Sequence, residues 1–489
     1  MKGIPFLLLF FLVILSNSAF AQNTVAPQII SPLAVAVNES SGLINLAGGI
    51  WTHNDSGGQP QLYEISKTDG SILRTVMIQN ATNVDWEDLA ADSDYVYIGD
   101  FGNNSGSRTN LKIYRISRSA LAVSNSVPAE TISFSYSDQT SWDPHPNQTN
   151  YDCEAIIAYG GFLYLFSKDW VDQKTRVYQL SGQPGTHVAQ YLATFNVLGL
   201  VTAAEILPSG VLLLQGYSTS LIPFTWLFQG FSGISFFTGS NIKLNWNTIA
   251  QTEGISCAGN TSIYITSEKA PNPLPFAATL FYLDLSTYIT NPSPVTKTLD
   301  LTVILEGLYI GGSIMNKAQD ESGDHFQGNI ADKVVVELHN SSDYSLVEYI
   351  CRYGDLDTSG NITISGIPGT FSGSYYITVK GRNSIETTTS QPVSFSGNPV
   401  TYNFTTSASQ AYGNNLGNWN GTGLYVIWGG DVNQDGIVDS GDMNLVENAS
   451  TAVITGYVAE DVNGDGIVDS GEMNIVENNS TAVIMTQIP

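Results

Sequence analysis

Residues 154–169, EAIIAYGGFLYLFSKD, contain two short apolar runs separated by a Gly-Gly pair. Residues 87–102, EDLAADSDYVYIGDFG, have the same form: an acid, an apolar residue two positions later, a turn, and a second apolar run. Three further segments share the form, two of them with a small residue in place of the acid: 41–55, 204–217 and 253–268. Short apolar runs bounded by turn residues predict β-hairpins.

These segments begin at residues 41, 87, 154, 204 and 253, which is close to the period of propeller blades. Further strand-like runs follow them, as in TRVYQLSG at 175–182 and LFYLDLST at 280–287. Almost no long helical periodicity occurs before residue 290. We therefore predict a mainly β protein with a β-propeller over 22–295. Five blades are visible and the length has room for a sixth, so five and six blades both remain open.

The repeated acid starts the visible strand pair of three blades, a place that often faces the central channel of a propeller. We expect Glu87, Glu154 and Glu253 to converge there, with other polar residues nearby. Those neighbours are His53, Asn54, Asp55, Asp85, Asp100, Asp152 and Glu205. The alternative is that the acids accept backbone N–H groups at blade turns and have no catalytic role.

This pattern resembles the calcium-centred propellers of the gluconolactonase, paraoxonase and strictosidine-synthase group, and also the esterase-like phytase domains. The resemblance implies a calcium ion in the channel, held by Glu87, Glu154 and Glu253. It would be the third ion of the chain, after two that a repeat near the C-terminus predicts. Such an ion polarises a carbonyl oxygen and lowers the pKa of bound water, and His53 becomes the candidate base. The sequence contains no G-x-S-x-G, phosphate-loop or H-E-x-x-H motif. Serine esterase, nucleotide and zinc chemistry are therefore disfavoured, and catalysis itself stays open.

Five aromatic residues in or beside propeller loops offer a competing hypothesis of sugar stacking, against ordinary packing in the blades. They are Trp142, Tyr151, Trp170, Trp226 and Trp246.

A second repeat lies near the C-terminus, where DVNQDGIVDSGD at 431–442 recurs as DVNGDGIVDSGE at 461–472. Both copies have the ligand spacing of a helix-loop-helix calcium loop, with oxygens at positions 1, 3, 5, 7, 9 and 12 and glycine at 6. The first set is Asp431, Asn433, Asp435, the Ile437 carbonyl, Asp439 and Asp442. The second is Asp461, Asn463, Asp465, the Ile467 carbonyl, Asp469 and Glu472. We predict two Ca²⁺ ions, the first more weakly held because Asp442 is shorter than Glu472.

The same repeat continues as MNLVENASTAVI at 443–454 and MNIVENNSTAVI at 473–484, so each copy is a loop followed by one helix. This arrangement resembles a type I dockerin module with paired EF-hand-type loops, as found on secreted proteins of the Bacteroidetes type. The resemblance covers 430–489 and implies docking to a protein partner or scaffold. It also implies a setting of extracellular polysaccharide binding or catabolism. In type I dockerins, hydroxyl residues at loop positions 10 and 11 help to select the partner. Here only position 10 matches, as Ser440 and Ser470.

Between the two repeats, alternating strands at 296–406 predict an immunoglobulin-like β-sandwich without chemistry of its own. Residues 407–429 are rich in Ser, Asn and Gly and are interpreted as a linker. Residues 1–21 have the lysine, the apolar run and the A-x-A site of a cleaved signal peptide, which predicts a secreted or cell-surface protein.

The charge of −26 disfavours nucleic acid as a partner, and no later segment is long and apolar enough to span a membrane. The three cysteines favour free thiols over disulfides. The leading interpretation is a secreted, modular, calcium-binding protein with a docking tail, with carbohydrate as a further candidate partner. The alternatives are a calcium-dependent lactonase or esterase whose active site is the propeller channel, and a structural surface protein without activity.

Overall fold

A computed structural model describes residues 23–46, 48–269, 276–290 and 296–489. The predicted signal peptide, 1–21, lies outside the described residues. Within the described ranges, no helix has the length and apolar character needed to cross a membrane.

The first part of the chain is built from short strands and one short helix. The strands are β1 (Asn23–Val25), β2 (Gln28–Pro32), β3 (Ser40–Asn45), β4 (Ile50–Asn54), β5 (Gln61–Ile65), β6 (Ile72–Gln79), β7 (Trp86–Ala91), β8 (Tyr95–Asp100), β9 (Lys112–Ser117), β10 (Ser126–Pro128), β11 (Glu130–Tyr136), β12 (Cys153–Tyr159), β13 (Phe162–Ser167), β14 (Thr175–Ser181), β15 (Gly185–Phe195), β16 (Leu200–Ile206), β17 (Leu212–Tyr217), β18 (Pro223–Gln229), β19 (Ser240–Trp246), β20 (Thr252–Cys257), β21 (Ser262–Ser267) and β22 (Thr279–Asp284). Helix α1 (Arg118–Val123) follows β9.

These strands form five blades of a β-propeller. The antiparallel meanders are β3–β6, β7–β9 with β11, β12–β15, β16–β19 and β20–β22. Their innermost strands, β3, β7, β12, β16 and β20, adjoin one another in sequence order, and β20 closes the ring against β3. Strand β2 pairs with β22 and supplies the fourth strand of the last blade, while β1 pairs with β19 in the blade before it. The fold therefore has five blades, and the N-terminal strands close it.

The second part, from Thr296, is the predicted β-sandwich. Its strands are β23 (Thr296–Thr302), β24 (Tyr309–Gly311), β25 (Ile314–Met315), β26 (Gln319–Asp320), β27 (Gly323–Asp324), β28 (Ile330–Asn340), β29 (Val347–Asp357), β30 (Asn361–Pro368), β31 (Ser374–Lys380), β32 (Thr387–Thr388), β33 (Val393–Ser394) and β34 (Val400–Asn403). Strands β31, β28 and β29 pair along their length, as do β30, β23 and β34. The two groups join where Leu356 on β29 is opposite Ile362 on β30. Their inward side chains, such as Leu338 and Leu301, share one core.

Residues 407–429 are packed, although their composition predicts a linker. They contain strands β35 (Gly417–Asn418) and β36 (Tyr425–Val426). Leu416, Val426 and Ile427 are buried, and Ile427 forms a parallel bridge with Leu305 of the sandwich. The segment is therefore an integral part of the junction between the sandwich and the tail.

The tail contains helices α2 (Ser440–Thr451) and α3 (Ser470–Thr481), each preceded by one of the duplicated loops. Each helix starts with a capping box, because Asp439 or Asp469 accepts the N–H of the residue two positions later and the acid at the third helical position bonds back. Val446 and Val476 are fully buried where the helices meet.

Contacts across domain boundaries join the three parts into one packed body. The Ile350 N–H of the sandwich donates to the Gly160 carbonyl at the β12–β13 turn, at 2.9 Å. The Gln179 side chain donates to the Val347 carbonyl at 2.8 Å. One apolar cluster contains buried residues of propeller, sandwich and tail. The sandwich is therefore a structural core between its neighbours.

Candidate functional site

The repeated acids lie at the same level on the innermost strands, and each is at a break in strand register. Pairing shifts between Trp86 and Leu89, between Cys153 and Ala155, and between Thr252 and Gly254. A β-bulge leaves one residue unpaired and redirects its side chain. Glu87, Glu154 and Glu253 occupy these bulges and are almost completely buried. The bulges explain why three strands can direct an acid toward the same place.

The fourth blade differs from the sequence alignment that began at Ala204. Its register break lies between Val201 and Ala203, so Thr202 occupies the position of the acids. Glu205 is three residues further along the strand, and its carboxylate accepts the N–H groups of Ile206 and Cys257 at 2.9 Å each. Glu205 therefore lies toward the other end of the channel, away from the acids that it was expected to join.

A cluster of carboxylates surrounds the acid level of the channel. Oxygen atoms of Asp55, Asp85 and Glu87 lie within 4.8 Å of one another, a spacing that suits a shared metal ion. Glu154 instead forms a 3.1 Å ion pair with the buried Lys168 ammonium. The structure thus brings the predicted acids together. Glu154 is paired with Lys168, whereas Asp55, Asp85 and Glu87 form an unpaired set.

Gly102 makes room for the unpaired set. A Cβ atom on Gly102 would lie 2.6 Å from Asp85 Oδ2 and closer still to Glu87 Oε1. The backbone approaches these carboxylates so closely that a side chain at residue 102 would displace them.

Burial and mutual repulsion raise the pKa of these acids. The pKa of Asp55 rises to about 7, first through burial and then through Asp85 and Glu253. The pKa of Asp85 rises to about 6 through burial and Asp152. Burial also raises the pKa of Glu87 well above its usual range. Acids that are costly to ionise without a partner are a common property of metal and catalytic sites.

Some buried oxygens in this region have no hydrogen-bond partner among the described residues. They include Asp55 Oδ1, Asn54 Oδ1 and Glu253 Oε2. Buried polar atoms are nearly always paired, so unpaired ones need an explanation. A cation bound by Asp55, Asp85 and Glu87 would give Asp55 Oδ1 a partner.

His53 is in a different environment from the one expected of a general base. Its side chain is fully buried and stands perpendicular to the Trp86 ring at 5.5 Å. Burial lowers the pKa of its imidazole to about 4. Nδ1 lies 3.0 Å from the Asn54 carbonyl, and Nε2 has no hydrogen-bond partner among the described residues. This neutral, packed ring suits a structural role better than proton transfer with Asp55.

Sequence reasoning missed Lys168, Asp88 and Glu268; burial and then the nearby Glu253 and Asp55 raise the pKa of Glu268 to about 9. Lys168 and Glu268 directly follow their blades' second strands, β13 and β21, so the search for repeated acids at strand starts could not find them. Asp88 follows Glu87 and accepts N–H groups of Ile156 and Ala204, from two other innermost strands, at 3.0 and 3.3 Å. An acid adjacent to a repeated acid was the only available signal for Asp88.

Three of the tryptophans that were considered for sugar stacking are tied internally. The indole N–H groups of Trp170, Trp226 and Trp246 donate to Asp152, the Val197 carbonyl and Thr225. Their packing role explains them, whereas Trp142 is 43% exposed. The partly buried Tyr151 donates its hydroxyl to the Asp138 carbonyl. Cys153, Cys257 and Cys351 are free thiols, as their number in the sequence favoured.

The two tail loops also hold carboxylates without partners. Asp431 Oδ1, Asp461 Oδ1 and Glu472 Oε1 are buried and have no hydrogen-bond partner among the described residues. In the second loop, oxygens of Asp461, Asp465 and Glu472 lie within 4.8 Å of one another. Burial raises the pKa of Asp431 and of Asp461 to about 6. Both loops thus direct unpaired acid oxygens inward, as ligands of a hard cation would be.

The last acid of each loop is engaged differently. Both oxygens of Asp442 accept backbone N–H groups, from Val432 and Asn433 on one side and Asp439 on the other. Glu472 accepts the Asp469 N–H through Oε2 and keeps Oε1 unpaired. The longer side chain therefore keeps an unpaired carboxylate oxygen, whereas both oxygens of the shorter one are engaged.

Comparison with known proteins finds no family model and no curated protein that matches this sequence. Solved structures similar to about half of the chain include the PQQ-bound aldose sugar dehydrogenase of Streptomyces coelicolor, with 9% identity over 53% of this chain and 98% of that chain and a TM-score of 0.32. A protein provisionally named a gluconolactonase has 10% identity over 52% of this chain and 76% of that chain, with a TM-score of 0.30. A Bacteroides caccae protein of unknown function has 11% identity over 52% of this chain and 80% of that chain, with a TM-score of 0.30. Because these scores are low, the propeller assignment is based on the sheet topology above.

Proposed function

We propose that this chain is a secreted, modular, calcium-binding protein whose tail binds two Ca²⁺ ions. The observation that carries the proposal is the set of buried, unpaired oxygens of Asp431, Asp461 and Glu472 inside two loops with calcium-ligand spacing. Ionised carboxylates without partners destabilise a fold, and Ca²⁺ offsets that cost. The second loop is the tighter site, because Glu472 has a free oxygen and Asp442 does not.

Calcium titration of the full mature chain by calorimetry tests this proposal. We expect Asp431→Asn and Asp461→Asn each to remove one tail site, and Glu472→Gln to weaken the tighter one. Glu447→Gln is the matched control, because this exposed acid lies on α2 outside the ligand positions. Equal calcium binding by the parent and the double variant Asp431→Asn/Asp461→Asn would refute the tail sites.

The tail is further proposed to be a dockerin-like module that docks to a protein partner in a setting of polysaccharide binding or breakdown. Support comes from the loop-helix repeat and from Ser440 and Ser470, which are both exposed at the helix starts. The double variant Ser440→Asp/Ser470→Asp keeps the calcium ligands, so it should lose a captured partner while still binding calcium. A partner retained equally by this variant would place docking elsewhere.

The second candidate function is a metal-dependent lactonase or esterase, with its ion in the propeller channel. The specific observation for it is the approach of Asp55, Asp85 and Glu87 to within 4.8 Å, with Asp55 Oδ1 unpaired. These three carboxylates would hold the ion, and a bound divalent cation polarises a carbonyl oxygen and acidifies water. Around it, Lys168 neutralises Glu154, and Gly102 keeps the backbone close.

This second candidate is tested in the Asp431→Asn/Asp461→Asn background, where calcium in the tail is removed. We expect one remaining ion and hydrolysis of at least one lactone or ester in a substrate panel, both abolished by Glu87→Gln. An ion without activity would favour a structural surface protein with a propeller metal. The absence of a third ion would refute the catalytic candidate and leave the tail proposal intact.

A further inference from the structure

A cleft lies at the junction of the sandwich, the packed segment 407–429 and helix α3. Its volume is about 470 Å³, within the range of about 300–1,000 Å³ that is typical of small-molecule sites. The residues that give the cleft its chemistry are Tyr309, Trp419, Trp428, Asn418, Asn420 and Asn478. None of them belongs to the propeller or is a calcium ligand.

The two indoles of the cleft differ from four of the six propeller indoles. The N–H groups of Trp86, Trp170, Trp226 and Trp246 all donate to acceptors within the propeller. Trp419 and Trp428, by contrast, donate their indole N–H groups to no described residue. Buried indoles normally find an acceptor. These two donors are therefore available to solvent or to a ligand.

The protein holds both rings in place. Trp419 stands perpendicular to the Tyr309 ring, with 5.0 Å between centroids. The Trp428 ring packs on Gly417, where a Cβ atom would lie 2.8 Å from Cη2. Rigid aromatic surfaces are suited to binding because little side-chain entropy is lost.

Apart from the Glu306 carboxyl group, the polar side chains that characterise the cleft are neutral. The side chains of Asn420 and Asn478 make no hydrogen bond to a described residue, and Asn418 uses only Oδ1, which accepts the Gly423 N–H at 3.0 Å. Glu306 accepts both the Gly429 N–H and the Asn479 amide through Oε2, at 3.0 and 2.6 Å, so one of its oxygens is engaged internally. Among the described residues that line the cleft, none is Lys or Arg, so an anionic ligand would have no cationic partner.

We infer that this cleft binds a neutral saccharide. Flat indole and phenol rings match the C–H face of a sugar ring, and unpaired amide and indole groups match its hydroxyl groups as donors and acceptors. The inference is independent of the calcium sites and of catalysis in the propeller. It also separates sugar binding from Trp170, Trp226 and Trp246, which are tied to internal acceptors.

The test uses native affinity electrophoresis of the full mature chain in gels that contain a soluble β-glucan, a xylan or a galactomannan. Calorimetry with oligosaccharides of the retaining polymer then measures affinity. We expect Trp419→Ala to weaken binding about tenfold or more, which corresponds to loss of about one good aromatic contact. Asn478→Ala should weaken it about threefold. Trp142→Ala, which removes an exposed propeller indole, should leave binding unchanged.

The Asn478 variant also protects the test from misfolding. Trp419 packs on Tyr309, so its removal can disturb the junction, whereas Asn478 is exposed on α3 and its loss should leave the thermal unfolding unchanged. Retention by none of the three polymers overturns the inference. So does binding that Trp142→Ala abolishes and Trp419→Ala does not. A proline-rich peptide that binds the cleft while no sugar does would identify a peptide site instead.

Discussion

Asp55→Asn should stabilise the metal-free protein at pH 8, although it removes a carboxylate that the second candidate function needs. The pKa of Asp55 is raised to about 7 in the folded chain, against 3.8 ordinarily, by burial and then by Asp85 and Glu253. A raised carboxyl pKa means that the folded state prefers the protonated acid. Its contribution to stability is complete below pH 3.8 and is lost as the pH rises through 7. The amide avoids that loss.

The shift from 3.8 to about 7 sets an upper limit of about 4 kcal/mol on this effect. Asp55 is only partly buried, so solvent reduces it, and we expect about 2 kcal/mol. For a propeller of this size, that corresponds to a rise in Tm of roughly 4–8 °C. At pH 4 the acid is already neutral, so the variant and the parent should unfold within about 1 °C of each other.

Calorimetric unfolding in a chelator, at pH 4 and pH 8, measures both values. Asp143→Asn is the control, because it makes the same substitution at an exposed loop acid whose contact is Ser141. Added calcium should stabilise the parent propeller and should have less effect on Asp55→Asn. The reasoning is refuted if Asp55→Asn lowers Tm at pH 8 in the chelator. It is equally refuted if Asp143→Asn gives the same gain.

Three further substitutions test other contacts. Lys168→Met should lower metal-free stability by about 1–3 kcal/mol, because Glu154 loses its 3.1 Å partner, and should strengthen cation binding for the same reason. Unfolding and calcium titrations that match those of the parent would argue against this role of Lys168. Asn479→Ala should lower the free energy of unfolding by about 2–3 kcal/mol, because it removes donors to the partly buried Glu306 and to the Gly429 carbonyl. Denaturant unfolding measures this loss, with Asn448→Ala, at an exposed position of α2, as the near-neutral control. Gly464→Gln should loosen the tail and speed its proteolysis, because a Cβ there would run into Leu308; the reverse change in the other repeat, Gln434→Gly, should be tolerated.

The level of the three glutamates could be predicted from sequence because one structural repeat places equivalent residues at equivalent heights in the ring. Thr202 could not be aligned in the same way. The small residues around it fit the repeat equally well in two frames, and only the register break between Val201 and Ala203 decides between them. The displacement of Glu205 to the other end of the channel follows from that two-residue difference.

The blade number and the state of 407–429 depended on pairings between distant parts of the chain. Strand β2 joins β22, so a segment near residue 30 completes the last blade. Ile427 similarly pairs with Leu305, which is far away in sequence. Ser, Asn and Gly composition reports local flexibility of an isolated segment, and it contains no information about a distant partner strand.

The tail repeats show what a near-identical sequence can still encode. Over 431–454 and 461–484, only four positions differ, and they are Gln434/Gly464, Asp442/Glu472, Leu445/Ile475 and Ala449/Asn479. Of the second pair, Glu472 retains an unpaired carboxylate oxygen.

The other three differences all lie where the second repeat meets the sandwich or its adjoining segment. Gly464 fits against Leu308 and Ala318, Ile475 lies near Gly429, and Asn479 bonds to Glu306. The corresponding residues of the first repeat do not make these contacts; Gln434 instead donates to the carbonyls of Ser384 and Asp431, at 3.4 and 2.8 Å. The sequence asymmetry therefore follows the docking of the second repeat onto the sandwich. It leaves the first helix, with Leu445 38% exposed, as the face more open to an external partner.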